Sequence, residues 1–472
     1  MLARTDTNGI HLTTLSPLPL FTPRGRELLV ELYDAAVAGA APGPLTAEAL
    51  RDFQCKPGQR LWLYALGKGA HAMAAAAVTT LQRSLHTIVG GVIVAPESLP
   101  TPCATVTALA GDHPLPGRHS FTAAQRVAES AAGMRSDDVA IVLLSGGATS
   151  LIAAPLRGMA EADLGQLFEL LHSAGLDIHS MNKVRKRFTR WGAGRLALAL
   201  APARTFSLII SDVPGDDPGD VGSGPCTPDA TTVREVVEIL TKAGLLSRIA
   251  PAMREYLTSV SRGVVPETPK RTHPAFAHVS ARVIGSNRLA IDAVVDRAKV
   301  LSLSVDAVGT PLTGEAVRAG EAVAQALLAR ASANQAGCLV WGGETTVQLS
   351  ATSMPSASSG TGAAAQGSPG LPPTGGRCQE LALAAARALS RSPHGARVTL
   401  LAAGTDGRDG PTDAAGAFAD GGTWTAITSA GRDPELALQR HESHAALDAC
   451  GSLLRRSSTG TNVMDVVIGV VE

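Results

Sequence analysis

Short apolar, β-branched runs that end in glycine- or aspartate-rich turns alternate along the chain with alanine- and leucine-rich stretches of helical pattern. That alternation predicts βα units carrying a parallel sheet. The runs are LWLYALGKG (61 to 69), VGGVIVAPE (89 to 97), VAIVLLSGGATS (139 to 150), FSLIISDVPGDD (206 to 217), HVSARVIGSN (278 to 287), GCLVWGGETTVQL (337 to 349) and RVTLLAAGTDGRDG (397 to 410). Ligands of such folds bind beyond the carboxyl ends of the strands, where these glycines, aspartates and one lysine fall. The many alanines of the helical stretches are read as tight helix-on-sheet packing.

Two segments interrupt the pattern. Ser261 to His273 (SRGVVPETPKRTH) combines two prolines with mixed charge and precedes a fresh βα series. It is the expected boundary between an N-terminal domain at 18–265 and a C-terminal domain at 274–472. Ser353 to Gly376 has no charged residue and is almost wholly Ser, Gly, Ala, Pro and Thr, so a flexible insertion is expected there.

The 472 residues are 45% hydrophobic, and 41 basic residues balance 41 acidic ones. A chain without net charge offers no global field for nucleic acid or an anionic membrane, so the expected partners are small molecules. Six cysteines stand singly with no C-x-x-C pair, as in reduced thiols of an intracellular protein. No apolar run approaches the roughly 20 residues of a membrane helix. Arg4, followed after six residues by His11 and Leu12, is similar to an N-terminal peroxisomal import signal, but Thr5 stands where an aliphatic residue belongs. A cytoplasmic monomer or homodimer is expected, with a peroxisome-like organelle as the alternative.

Five places carry candidate chemistry. Gly67, Gly69 and Ala72 fit G-x-G-x-x-A after a strand, which admits a nicotinamide dinucleotide or a phosphate approached by backbone. A dinucleotide unit also wants an acid about 20 residues on for the ribose. That position falls in TIVGGV (87 to 92), and the nearest acid is Glu97. Ser145, Gly146 and Gly147 end an apolar strand with hydroxyl and N–H groups suited to an anion. Asn182 to Arg195 holds six positive charges in 14 residues, of which Lys183 or Arg185 is expected to reach a carboxylate or phosphate. Asp212 and Asp406, at strand ends, are the candidates for Mg²⁺, which binds through one or two carboxylates plus substrate phosphates. Asp216, Asp217 and Asp409 are read as turn formers. Arg377, beside two glycines at a helix start, is placed to fork onto a phosphate or carboxylate, with Cys378 a bystander thiol.

In order, ALGKGAHAM, GDHPLPG, LLSGGATSL, MNKVRK, SDVPGDDP, SGP, GSN, GEA, GGET, GGRCQELAL, AAGTDGRDGPTDAAGA and TGTNVMD span residues 61 to 465. This set resembles the glycerate 2-kinases whose C-terminal half is called the MOFRL domain. The resemblance implies an α/β fold of two α/β/α domains with mostly parallel sheets, Rossmann-like then MOFRL-type, around an interdomain cleft. It implies ATP-dependent phosphorylation of D-glycerate at the 2-hydroxyl with a divalent cation, here ATP and Mg²⁺. It places Lys68 and Arg377 as active-site cations; Gly67, Gly69, Ser145, Gly146, Gly147, Asn182, Arg185, Asn287 and Glu344 are the residues expected around substrate and phosphate. Cys378 and Thr345 stand where that family usually has Asn and Pro. An NAD(P)H-dependent hydroxypyruvate reductase is the alternative enzyme, and a non-catalytic sensor of phosphorylated metabolites a third reading.

Overall fold

The structure is a computed structural model that describes residues 23–56, 58–347 and 375–472. The expected insertion, apart from Gly375 and Gly376, and the stretch with Arg4, His11 and Leu12 lie outside the described residues.

The first sheet is built as the alternation predicts. Strands β1 (Leu61–Leu66), β2 (Ile88–Ala95), β3 (Thr107–Ala110), β4 (Val139–Leu144), β5 (Arg204–Ile210) and β6 (Val279–Gly285) align in the order β3-β2-β1-β4-β5-β6. Every pairing in it is parallel. β4 is buried along its whole length, as a strand covered by helices on both faces must be. Ala70, Ala74 and Ala77 of the helix Ala70–Arg83 are wholly buried, so alanine here does serve close packing. The strand order reverses between β1 and β4, which opens a crevice at their carboxyl ends.

The second sheet departs from the expectation of parallel strands. Its order is β11-β10-β9-β12-β8-β7, from β7 (Val305–Ala307), β8 (Gly337–Gly343), β9 (Val398–Gly404), β10 (Gly416–Asp420), β11 (Leu453–Leu454) and β12 (Asp465–Val471). β12 lies between β8 and β9 and runs antiparallel to both, and β10 is antiparallel to β9 and β11. Among the described strands of this second sheet, only β7 and β8 pair in parallel. A strand buried on both faces reads as a continuous apolar run whichever way it points, so the pattern held no information on direction.

The expected domain limits also shift. β6 adds to the edge of the first sheet, so the chain leaves that sheet after Gly285 and not at residue 265. The first helix, Pro23–Gly39, packs not on the first sheet but on β12 and β9 of the second, beside the helix Asn287–Val300. The two helices touch so closely that a Cβ on Gly39 would lie 2.3 Å from the Ala293 methyl. On the opposite face lie the helices Ala316–Ser332 and Arg377–Ser390, over Trp341, Leu400, Ala402 and Val467. One apolar core runs from Leu61 and Leu63 of the first sheet through Leu32 and Ile291 to Leu401 and Ile468 of the second. The lobes are therefore joined through a shared interior as well as through the short crossings at Ala40–Pro42 and Gly285–Asn287.

Candidate active site

The carboxyl ends of β1, β4 and β5 face the carboxyl ends of β8 and β9 and, because β12 runs the other way, its amino end. Residues remote in sequence therefore meet across a cleft, and the ion pair between Lys68 Nζ and Asp406 Oδ2, at 3.9 Å, spans it.

The turn after β1 is locked to the turn after β4. Gly67 N–H donates to the Val94 carbonyl, Lys68 N–H to the Gly146 carbonyl at 2.9 Å, and Gly69 N–H to Ser145 Oγ at 2.9 Å. Gly67, at φ +124°, is glycine because a Cβ would lie 2.3 Å from Ser145 Oγ. All three N–H groups are thus occupied within the protein. The N–H groups of Gly67 and Gly69, expected to cradle phosphate, are therefore not free to do so, and neither they nor that of Lys68 are free for a dinucleotide pyrophosphate. The glycine pattern serves the interlock, and Lys68 is what the turn presents to the cleft. The N–H groups of Gly146 and Gly147 donate to nothing among the described residues. The anion-ready backbone is therefore the turn after β4.

Asp212 packs against that turn so tightly that a Cβ on Gly146 would sit 1.7 Å from its Oδ2. Burial raises the Asp212 carboxyl above the ordinary carboxylate range; the Lys68 charge opposes the rise and Asp406 adds to it. Asp406 Oδ1 accepts the Arg408 N–H at 3.0 Å, leaving Oδ2 toward Lys68. Two carboxylates from opposite lobes thus share one lysine. The described residues hold no cluster of three His, Cys, Asp or Glu side chains shaped for a metal ion. An arrangement of two carboxylates fits a Mg²⁺ that arrives with nucleotide phosphates better than one caged by protein alone.

From the second lobe, Arg377 opens the helix Arg377–Ser390 and is gripped by Asp465 at the start of β12. Its Nε and an Nη donate to the two carboxylate oxygens of Asp465 at 2.6 and 2.8 Å. Another Nη lies 3.0 Å from Glu344 Oε1, so two of the five guanidinium donors remain for a ligand. Burial lifts the Glu344 carboxyl to about 7, against the pull of Arg377 and with repulsion from Asp465 and Asp212. Asp409 caps the same helix, accepting the N–H groups of Cys378 and Gln379 at 3.0 and 2.8 Å. It is a structural acid, but it caps a helix 30 and 31 residues away in sequence where a local turn former was expected. The Cys378 thiol is 1% exposed, and burial pushes its pKa well up, which leaves it a bystander.

The basic run divides cleanly. Lys183 faces Glu235 at 3.9 Å, Lys186 binds the Gly219 carbonyl and Asp220, Arg187 pairs with Glu267, and Arg195 binds the carbonyls of residues 186, 187, 189 and 192. Arg185 has no ion pair among the described residues: its guanidinium lies over the Phe168 ring, 4.8 Å from the centroid, and its buried Nε has no acceptor. A desolvated cation without a counter-charge beside a cleft is an anion site in waiting.

Asn182 and Asn287 prove to be braces. The Asn182 amide donates to the Asp220 carbonyl. The Asn287 amide donates to the carbonyls of Val463 and Asp465, with Gly342 leaving room for its oxygen. Two cleft residues escaped the sequence reading, Asp465 in TGTNVMD and His113 in GDHPLPG. The His113 ring abuts Gly147 and the Lys68 stem. Both lie inside motifs that were already singled out, which is the signal that could have found them.

A parallel sheet with a crevice at its switch point, set against a second lobe that supplies an arginine, defines a two-lobed α/β enzyme acting on small anions. Residues 28–258 match a domain of unknown function (DUF4147), and residues 337–465 match the MOFRL family. The D-glycerate 2-kinase of Thermotoga maritima is 31% identical over 96% of this chain and 100% of its own. A glycerate kinase crystal structure from the same organism superimposes with a TM-score of 0.78 at 30% identity, over 96% of this chain and 100% of that one. An Agrobacterium vitis relative, named as a hydroxypyruvate reductase only by provisional assignment, is 32% identical over 93% of each chain. The chain belongs to the glycerate 2-kinase family with a C-terminal MOFRL domain, a family of kinases.

Proposed function

We propose that the protein transfers the γ-phosphoryl group of ATP to the 2-hydroxyl of D-glycerate, giving 2-phosphoglycerate and ADP. The observation that carries this reading is the convergence of Lys68 and Arg377 from opposite lobes beside the free N–H groups of Gly146 and Gly147. Phosphoryl transfer through a loose transition state asks for positioning and charge neutralisation more than for covalent chemistry. Lys68 and Arg377 meet the migrating group from two sides, and Asp465 holds Arg377 at one orientation. Arg185 forks onto the glycerate carboxylate, gaining the counter-charge it lacks. Asp212 and Asp406 would hold Mg²⁺, which supplies charge neutralisation on the nucleotide phosphates. Among the described residues no helix is long and apolar enough to cross a membrane.

The test is direct. Purified protein with D-glycerate, ATP and Mg²⁺ is assayed for ADP and, through enolase, for 2-phosphoglycerate. A product that enolase does not consume would move the reaction to the 3-hydroxyl. NADH oxidation with hydroxypyruvate and no phosphorylated product would establish the reductase, against which the occupied N–H groups of Gly67, Lys68 and Gly69 already stand. Ligand binding without ADP release would point to a sensor.

A further inference from the structure

We propose that His113 is a catalytic residue that faces the reacting hydroxyl and takes its proton. The inference rests on the reading above, in which Arg185 holds the carboxylate of the hydroxy acid and Lys68 the phosphoryl group. In a 2-hydroxy acid the group between those two is the hydroxyl on C2, so whatever stands between Arg185 and Lys68 faces that oxygen. The His113 imidazole shares the wall of the turn after β4 with the Lys68 stem, and Lys68 and Arg185 are the two cations that act on it. A Cβ built on Gly147 would meet its Cδ2 at 3.1 Å, its Nε2 at 3.2 Å and Lys68 Cγ at 3.4 Å, so ring and lysine stem lie against one point of the turn after β4. His113 is solvent-exposed and makes no hydrogen bond among the described residues. Its backbone is fixed on both sides. Asp112 accepts the N–H groups of His119 and Ser120, and the Pro114 carbonyl accepts the Ser150 hydroxyl at 2.7 Å.

Partial burial, then Lys68, then Arg185 lower the His113 pKa, which holds the ring of the ligand-free protein toward its neutral form. Of the charged groups around it, Lys68 comes from the turn after β1, Arg185 from the helix Ile178–Phe188, and Asp112 from its own loop, where it is tied to His119. The turn after β4 contributes no titratable side chain. A bound carboxylate offsets Arg185 and nucleotide phosphates offset Lys68, which relieves the two cationic contributions while that of burial, the largest, remains. In the step itself the C2 oxygen bonds to the γ-phosphorus as the bond from that phosphorus to the leaving oxygen breaks. The leaving pair stays on ADP, the hydroxyl proton passes to the imidazole, and the imidazolium returns it to water.

The test is His113→Asn in the full chain. Turnover of D-glycerate should fall about 10²-fold, with KM for glycerate and ATP within about 3-fold, and the acidic limb of the kcat profile should vanish. Imidazole added to His113→Ala should restore part of the turnover, and this decides the matter if His113→Asn melts early. A kcat within about 3-fold of wild type, a retained acidic limb, or a raised KM with unchanged kcat would overturn the assignment and move the proton to Asp212. Wild-type conversion of D-glycerate to 2-phosphoglycerate tests the underlying reading separately.

Discussion

The clasp between Arg377 and Asp465 is open to a quantitative test. The guanidinium makes two charge-assisted hydrogen bonds, at 2.6 and 2.8 Å, to a carboxylate whose side chain is 7% exposed. Hydrogen bonds to charged groups contribute about 1.5–3 kcal/mol each, and removing one partner of a buried pair costs about 3–5 kcal/mol. Asp465→Asn keeps one acceptor oxygen and leaves Glu344 as the counter-charge of Arg377, so a loss of about 2 kcal/mol is expected. Arg377→Ala strands the buried carboxylate and should cost about 3–5 kcal/mol. The double variant should be less damaged than the sum by about 2 kcal/mol, well beyond the roughly 0.5 kcal/mol scatter of independent sites. Equilibrium urea unfolding measures this, followed by circular dichroism and by tryptophan fluorescence, for which Trp341 of β8 is 5% exposed. Additive single changes would show that the clasp is a contact without energetic weight. In kinetics Asp465→Asn should depress kcat more than it raises KM, because the arginine is misdirected and not removed.

Other outcomes follow from the same geometry. Lys68→Ala should reduce kcat by roughly 10²–10⁴-fold in the coupled ADP assay, since it removes a cation acting in the transition state. Arg185→Ala should raise KM for D-glycerate by about 10–100-fold with little change for ATP, and near-normal glycerate KM would remove it from the carboxylate site. Glu344 has a folded pKa of about 7 against an ordinary 4.5, so its contribution to stability is fully present below about 4.5 and lost as pH rises through about 7. Glu344→Gln should therefore flatten melting temperature against pH between those values, and an unchanged slope would place the titration elsewhere. Asp409→Ala should cost about 1–2 kcal/mol by uncapping the Arg377 helix, measured by denaturation.

What the sequence made legible followed from local physics. Apolar runs closed by glycine and aspartate marked most of the strands that carry the cleft, so Lys68, Asp212 and Asp406 could be placed at their ends and Arg377 at a helix start. Strand direction was not legible: β12, DVVIGVV, was not singled out, because it follows no βα unit and its role depends on sliding between β8 and β9. Asp465 was missed for the same reason, since its partner lies 88 residues away in sequence. The linker-like stretch 261–273 looked like a domain end, yet β6 beyond it completes the first sheet. Hydrogen-bond donors carry no sequence mark of being occupied, so only the structure could show that the N–H groups of Gly67 and Gly69 go to the Val94 carbonyl and Ser145 Oγ, or that Asn182 and Asn287 brace backbone.

The first helix bears on how this chain acquires its fold during synthesis. Its docking partners are made last: Thr461 bonds the Ala40 carbonyl across 421 residues of sequence, and Tyr33 reaches the Gly404 carbonyl across 371. Until β9 and β12 have emerged, the apolar face of Leu29, Leu32, Tyr33 and Ala36 has no sheet to cover. The nascent chain must shield that face for most of its elongation, and a ribosome stalled before β12 would display it. Completion of the second lobe is thus the event that silences the amino-terminal helix as an aggregation surface.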